Sequence, residues 1–405
     1  MAGYGVRVSI FFAALFLIYG IHIPYLPLWL EWRGLTAAEI GVVTSVPYFL
    51  RIAFTPAVAY AADRMQDHRR VILMLAWAVL ALALLLSQSF GFWPILLVSA
   101  SMAITTWTIM PLTETVAIAG VRRGLDYGRM RLWGSLTFIA ASFIGGTVIE
   151  AQGRGAGIWL IVAGGLVTVW AAYALPRRDW LRAEPVVGAR AGQGGHTGTS
   201  AAAPAARGVD RATVLRLARD ARFLLFLVAI GTVMASHAAF YTFGSIIWQA
   251  QGLSPAWIGT LWAIGVLTEI ALFAWSAPFV QRFGALGLLV AGGAAAVARW
   301  AAMALDPPLA VLVPLQVLHG LTYGAAHLGA IHFIGLAVPE EAGGTAQALC
   351  SAVAAGIMHG GATILSGLLY ARIGSDTYWA MAVVAAVGLC AALVLKRRWD
   401  GRPFW

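Results

Sequence analysis

Residues 33–54 read RGLTAAEIGVVTSVPYFLRIAF, and a shift of 218 positions lays them on residues 251–272, QGLSPAWIGTLWAIGVLTEIAL. Gly34 meets Gly252, Leu35 meets Leu253, and Ile40-Gly41 meets Ile258-Gly259. The same register carries Asp63-Arg64 onto Gln281-Arg282 without a gap. Shared turn residues at one register mark a parallel duplication, and in membrane chains such a duplication centres a binding site near the bilayer midplane.

Working outward from the repeat, composition supplies the solvent. Of 405 residues, 60% are apolar and 11% are charged, against about 25% charged in a soluble domain. That shortfall excludes soluble, disordered and coiled-coil classes. A bilayer core takes about 20 apolar residues per helix. Hydropathy predicts twelve spans, near 8–29, 38–61, 71–88, 93–118, 131–150, 156–175, 222–249, 255–279, 285–304, 309–336, 343–371 and 377–395. The ten-residue alternation of a membrane β-barrel is missing from these segments. No cleavable leader is expected, because the first apolar run continues through Trp29 as a span. Trp29 and Trp32 read as interfacial belt residues. Cys350 and Cys390 both fall in apolar runs, so neither a disulfide framework nor a metal cluster is expected.

The net charge of +10 is explained by where the arginines fall. With both termini on one side, 21 of the 27 basic residues line that face; Arg33, Arg154 and Arg372 lie opposite, and Arg51, Arg131 and Arg299 fall inside or at the edge of spans. This is the positive-inside pattern, so both termini are expected in the cytoplasm of a bacterial-type inner membrane, and no nucleic-acid partner is required. The expected organisation is an N-terminal bundle over 1–176, a central loop over 177–220 and a C-terminal bundle over 221–405. Within the loop, Arg190–Gly208 reads as a flexible Gly, Ala, Ser and Pro linker. The stretch from Asp210 to Arg222 reads either as a charged spacer or as a short basic helix on the anionic leaflet.

Together these features resemble the major facilitator superfamily, an all-α membrane fold of twelve transmembrane helices in two pseudo-symmetric six-helix bundles. The resemblance covers both halves. The family's loop signature between the second and third spans appears as Ala59-Tyr-Ala-Ala-Asp63-Arg64 with Arg69 and Arg70, and Gln281-Arg282 in the second copy. Spacing alone allows a solvated charge run here; the resemblance implies a conformational latch at Asp63, Arg64 and Arg282. Within the superfamily, three stretches are similar to the lactose permease and phenylpropionate transporter branch. They are Gly20-Ile-His22-Ile-Pro-Tyr-Leu-Pro-Leu-Trp-Leu30, Tyr127-Gly128-Arg129-Met-Arg131-Leu-Trp-Gly134, and Leu318-His319.

An ionisable side chain inside a bilayer is a candidate for function, since it costs roughly 2.5–3.5 kcal/mol to place there. Of 17 acids only Glu114 and Glu269 sit well within spans. Glu269 falls on Arg51 in the repeat, and Arg299 stands in an alanine-rich run. His319, Tyr323 and His327, spaced i, i+4, i+8, form a slowly drifting stripe about 12 Å long. His22 with Tyr25, and His237 with Tyr241, are open to packing or to binding; His359 reads as structural. The resemblance implies proton coupling by Glu269, Arg299 and His319, with His327 as a further candidate, and substrate binding by Glu114 and Arg131. Arg51, His22, Tyr25, His237, Tyr241 and Tyr323 complete the candidate binding set. One position departs from the branch: the proton-carrying carboxylate three residues after His319 is Thr322, which shifts proton carriage to Glu269.

Energy is expected from a proton gradient, with no cofactor. The single lysine, Lys396, lies near the end of the chain, so no Gly-x-x-x-x-Gly-Lys-Ser/Thr phosphate loop exists. His-Glu-x-x-His and Gly-x-Ser-x-Gly are also absent, which leaves an intramembrane enzyme without a nucleophile or metal centre. The expected function is secondary active transport by alternating access: proton symport of a small organic acid such as an aromatic, phenylpropionate-like compound, with a monomer as the working unit in the lipid bilayer. Arg51, Arg131 and Arg299 favour an organic anion. Symport of a sugar or nucleoside and proton-driven efflux of a drug or metabolite remain open, as does a sensor that binds without flux.

Overall fold

The computed structural model describes residues 2–176 and 211–405. The linker reading at Arg190–Gly208, and the arginines of 177–207, lie outside those residues. Among the described residues all regular structure is helical. Six long helices come first: α1 (Ala2–Trp32), α2 (Ala37–Met65), α3 (His68–Ser87), α4 (Phe92–Val121), α5 (Tyr127–Gln152) and α6 (Ala156–Ala174). A short helix, α7 (Arg211–Arg219), follows. Then come α8 (Ala221–Ala250), α9 (Pro255–Ala274), α10 (Ser276–Met303) and α11 (Leu309–Ala337). Glu340–Cys350, a π turn over Ser351–Met358 and His359–Ile373 form α12; a one-turn break at Gly374–Asp376 separates it from α13, Thr377–Arg398. Apart from α7 these are the twelve expected spans.

One boundary differs from the hydropathy reading. The eighth span stops at Ala274 rather than continuing to 279, and residues 276–283 begin the next helix, which kinks at Gly284 (φ +66°). Pro278 accounts for the stop: it has no N–H to offer the carbonyl of Ala274, and its ring would clash there. Gln281 and Arg282 therefore sit on a helical segment, whereas Asp63 and Arg64 end α2.

The helices gather into two compact units. The first holds the described residues up to 176 together with Trp248–Ala263; the second holds 211–247 and Ile264–Trp405. Helix α9 is thus shared, its start belonging to the first unit and its remainder to the second.

In the first unit α1 is central, packed on α5 and α6. Small residues set the spacing, as expected where lipid supplies no hydrophobic drive between helices. A Cβ on Gly20 would lie 2.7 Å from both the Ala141 Cβ and the Phe138 carbonyl oxygen, and one on Gly145 would lie 2.3 Å from Ile21 Cδ1. Hydroxyls tie the same faces: Ser142 Oγ donates to the Gly20 carbonyl at 3.0 Å and Thr168 Oγ1 to that of Ala14 at 3.1 Å. At the repeat motif, Gly34 turns the chain with φ +86° and Thr36 with Glu39 forms a capping box that starts α2.

In the second unit α8, α10 and α13 pack together, with α11 against α10. Gly388 admits Thr232 and the Ala229 carbonyl, and Gly329 admits that of Ala285. Trp300 is fully buried, stacks on Tyr378 at 5.9 Å and donates its indole N–H to Ser236 Oγ at 2.9 Å. Large apolar residues such as Leu97, Trp170 and Val383 are exposed, the outward face of a lipid-embedded protein. Trp32 fits the belt reading, half exposed, but Trp29 is buried. The Arg33 guanidinium lies over both rings, 4.9 Å from Trp29 and 5.2 Å from Trp32.

Candidate functional site

In the second unit the site grows from a local irregularity. Gly320–Ala325 of α11 winds as a π turn. In an α-helix, residues four apart drift by about 40° around the axis; the wider π turn rotates each residue less and so counters that drift. The expected stripe therefore becomes a ladder. The His319 and Tyr323 rings lie 5.5 Å apart and 13° from parallel, and Tyr323 and His327 lie 6.1 Å apart at 12°. Two glycines of the turn bring α11 against α9. A Cβ on Gly320 would lie 3.0 Å from the Thr268 carbonyl oxygen, and one on Gly324 would lie 2.8 Å from Leu272 Cδ2 and 3.7 Å from Glu269 Cγ. This close packing puts Glu269 Oε2 3.8 Å from His319 Nε2.

Behind His319 lies Arg299, with none of its surface exposed. Its guanidinium donates to Gln316 Oε1 at 2.7 Å, His319 Nδ1 at 3.1 Å and Thr322 Oγ1 at 3.2 Å. The Phe240 and Trp300 rings each lie 4.7 Å away. Among the described residues no carboxylate comes within 4.0 Å of it, so this is a buried cation balanced by dipoles and rings rather than by an anion.

The donors fix the direction of the network. Arginine can only donate, so His319 Nδ1 accepts, and an imidazole accepting there carries its single proton on Nε2, facing Glu269. The Val233 carbonyl can only accept, so His237 Nδ1 donates to it at 3.1 Å. Thr322, which accepts from Arg299, then has its own proton for His237 Nε2 at 3.1 Å. Thr322 thus performs a definite task at the position where the resemblance leads one to expect a carboxylate: it joins Arg299 to His237. His237 is fully buried and Tyr241 stacks against it at 6.0 Å. His359 lies with Nδ1 3.2 Å from the Met234 carbonyl oxygen, a structural place.

Gln316 was not among the expected site residues, yet it makes the shortest bond to Arg299. Its position three residues before His319, on the same helix face, was the available signal. Gln316→Leu should leave a buried guanidinium N–H unpaired, at a cost of roughly 1–3 kcal/mol. A clear fall in Tm is expected, and an unchanged Tm would show that Gln316 is dispensable to the network.

The first unit brings together Glu114, Tyr127 and Arg131. The Tyr127 hydroxyl donates to Glu114 Oε1 at 3.3 Å. Arg131 lies over the Phe16 ring at 4.1 Å and reaches Ser135 Oγ at 3.4 Å. No ion pair within 4.0 Å joins Glu114 to Arg131 among the described residues. Arg51 lies 5.8 Å from the Trp107 ring. His22 is half-buried in α1. Tyr25 is buried, its single hydroxyl proton shared between the carbonyls of Ser142 (2.6 Å) and Pro255 (3.1 Å). At the loop motif Asp63 pairs with His68 Nε2 at 3.0 Å, while Arg64 lies 5.9 Å from the Tyr60 ring. The N-cap of α3 is Asp67.

Twelve apolar spans with a few ionisable groups set inside them define a multi-pass membrane transporter rather than an enzyme. Comparison with known proteins agrees. The sequence profile of the MFS_1 like family matches residues 6–381, and the chain belongs to that family, within the major facilitator superfamily. It is 30% identical over 377 residues to the "Probable 3-phenylpropionic acid transporter" of Escherichia coli (strain K12), covering 91% of this chain and 92% of that protein. It is 29% identical over 403 residues to the maltose permease of Geobacillus stearothermophilus, covering 96% and 94%. Among solved structures, the nucleoside transporter NupG superposes with a TM-score of 0.77 at 15% identity, covering 98% of this chain and 100% of that one. A D-xylose-proton symporter gives a TM-score of 0.64 at 12% identity, covering 99% and 98%. At these identities the structural likeness concerns the fold.

Proposed function

We propose that the chain is a proton-coupled symporter of a small organic acid, an aromatic carboxylate of the phenylpropionate kind, working by alternating access in an inner membrane with both termini cytoplasmic. The observation that carries this reading is Arg299: a fully buried cation with no carboxylate within 4.0 Å among the described residues, hydrogen-bonded to His319, which in turn faces the partly exposed Glu269. With Glu269 protonated, such a cluster is short of one negative charge, which an organic anion supplies.

Glu269 is the proposed proton carrier, a quarter exposed and 3.8 Å from the proton-bearing nitrogen of His319. His319 is the go-between, Arg299 acts through it, and His327 extends the ladder. Tyr323, Tyr241 and His237 belong to the wall of this cluster; Arg51, Glu114, Arg131, His22 and Tyr25 are the first unit's candidates. The latch assignment rests on Asp63, Arg64 and Arg282. The 30% identity to a protein named for 3-phenylpropionic acid supports the aromatic acid. The relationship to a maltose permease supports the second reading, a neutral sugar carried with a proton.

Voltage separates the two. A monoanion moving with one proton carries no net charge, so accumulation in proteoliposomes should follow the pH gradient and ignore an imposed potential. A neutral sugar with one proton would gain about 2.3 kcal/mol per 100 mV. The test is uptake of phenylpropionate, maltose and nucleosides with each gradient imposed alone. Phenylpropionate uptake driven by potential alone, or maltose uptake in its place, would overturn the organic-acid reading.

A further inference from the structure

Away from the charged clusters, the second unit carries a shallow, open surface cavity of about 510 Å³ whose wall includes Leu215, Arg216, Arg219, Asp220, Phe404 and Trp405. Helix α7 forms one side. Its Leu217 is fully buried beneath it, while Leu215, Arg216 and Arg219 are exposed. The tail after α13 forms the other side, folded back onto the unit. The Phe404 N–H donates to the Ala337 carbonyl at 2.8 Å, and Arg222 donates to the Phe404 carbonyl at 2.9 Å. Phe404 packs at 6.3 Å from Phe223 and 6.0 Å from Phe333, and the Arg216 guanidinium lies 4.4 Å from the Trp405 ring.

Charge and level together identify an occupant. The one acidic side chain in the wall, Asp220, is already committed: it pairs with the Arg222 guanidinium at 3.0 Å and accepts the backbone N–H groups that begin α8. Arg216 and Arg219 have no carboxylate within 4.0 Å among the described residues, so the cavity is cationic. Three spans end around it, since α8 starts at Ala221, α11 stops at Ala337 and α13 stops at Arg398. That is the level at which hydrocarbon gives way to headgroups. We infer that the cavity is a binding site for the headgroup of an anionic phospholipid, the phosphate held by Arg216 and Arg219 beside the Trp405 indole, with Leu215 toward the acyl chains. The inference needs only the membrane fold and is independent of the transported substrate.

The test uses the full chain in an uncharged detergent, titrated with dihexanoyl phosphatidylglycerol, dihexanoyl phosphatidylcholine or inorganic phosphate while Tm is followed. A saturable rise in Tm is expected with phosphatidylglycerol alone. In an Arg216→Gln/Arg219→Gln variant the apparent affinity should fall roughly thirtyfold, the combined share of two arginines at an anionic surface. An Arg397→Gln/Arg398→Gln variant removes equal charge outside the cavity wall and should keep the wild-type affinity. Four results would each overturn the inference: an equal rise with phosphatidylcholine, an equal rise with inorganic phosphate, wild-type affinity in the Arg216/Arg219 variant, or equal weakening in the Arg397/Arg398 variant.

Discussion

Glu269→Gln is expected to abolish proton-driven accumulation while sparing downhill movement of substrate. Amide and protonated carboxyl have nearly the same shape and neither is charged, so the substitution holds the position in its loaded form. With one proton per substrate, a one-unit pH gradient sustains a roughly tenfold accumulation, and in the variant that ratio should collapse to one. Exchange of labelled for unlabelled substrate across the membrane, which needs no net proton movement, should continue. The geometry gives a reason to expect this separation. Glu269 is the carboxylate nearest His319, and 3.8 Å is longer than a hydrogen bond. The carboxyl can therefore close on the proton-bearing Nε2 or leave it without disturbing the Arg299 network behind. Accumulation at the wild-type ratio in Glu269→Gln would remove Glu269 from the coupling role, and loss of exchange as well would mean that it holds the structure rather than the proton.

Much of the fold was legible because a bilayer makes hydropathy decisive: once charged residues fall to 11%, long apolar runs have few alternatives to spanning helices. The boundary after Ala274 escaped that reading because hydropathy does not see the carbonyl that Pro278 leaves unpaired. The site was readable to the extent that it is made of charges. Glu269, Arg299 and His319 do meet, and they were visible as rare ionisable residues in spans. Gln316 was not, since a neutral amide in a span gives no such signal, and Thr322 was noticed only as a departure from the branch's carboxylate, although both lie one turn from His319. The π turn at Gly320–Ala325 was also hidden. Nothing in residue spacing distinguishes it from α-helix, yet it aligns the His319, Tyr323 and His327 rings. At Asp63 spacing drew attention to the adjacent Arg64, whereas the chain turns and offers His68, the first residue of α3.

The start of α9 yields the second large effect, and here the sign of a substitution is informative. Glycine to alanine within a helix ordinarily stabilises by about 1 kcal/mol, and Gly361 of α12, with open space where a Cβ would be, should follow that rule. Gly259 should reverse it. A Cβ there would lie 2.1 Å from the Ser142 carbonyl oxygen and 2.3 Å from the Tyr25 hydroxyl, and one on Gly146 would lie 2.3 Å from the Pro255 carbonyl oxygen. These obstacles include backbone, which cannot swing aside. The contact is also polar at both ends, because Tyr25 bridges the Ser142 and Pro255 carbonyls and Glu150 Oε2 accepts the Ala256 N–H at 3.3 Å at the start of α9. Gly259→Ala must therefore part α5 from α9, at an overpacking cost of roughly 1–3 kcal/mol, with added loss if the Tyr25 bridge breaks. Tm should fall for Gly259→Ala and rise or hold for Gly361→Ala. Tyr25→Phe should not rescue Gly259→Ala, since removing the hydroxyl leaves the Ser142 carbonyl in place. A Gly259→Ala protein as stable as Gly361→Ala, or one restored by Tyr25→Phe, would show that the two helices do not meet backbone to backbone. The proposed transport cycle should slow with Gly259→Ala, because any movement of α9 relative to α5 has to break and remake this contact.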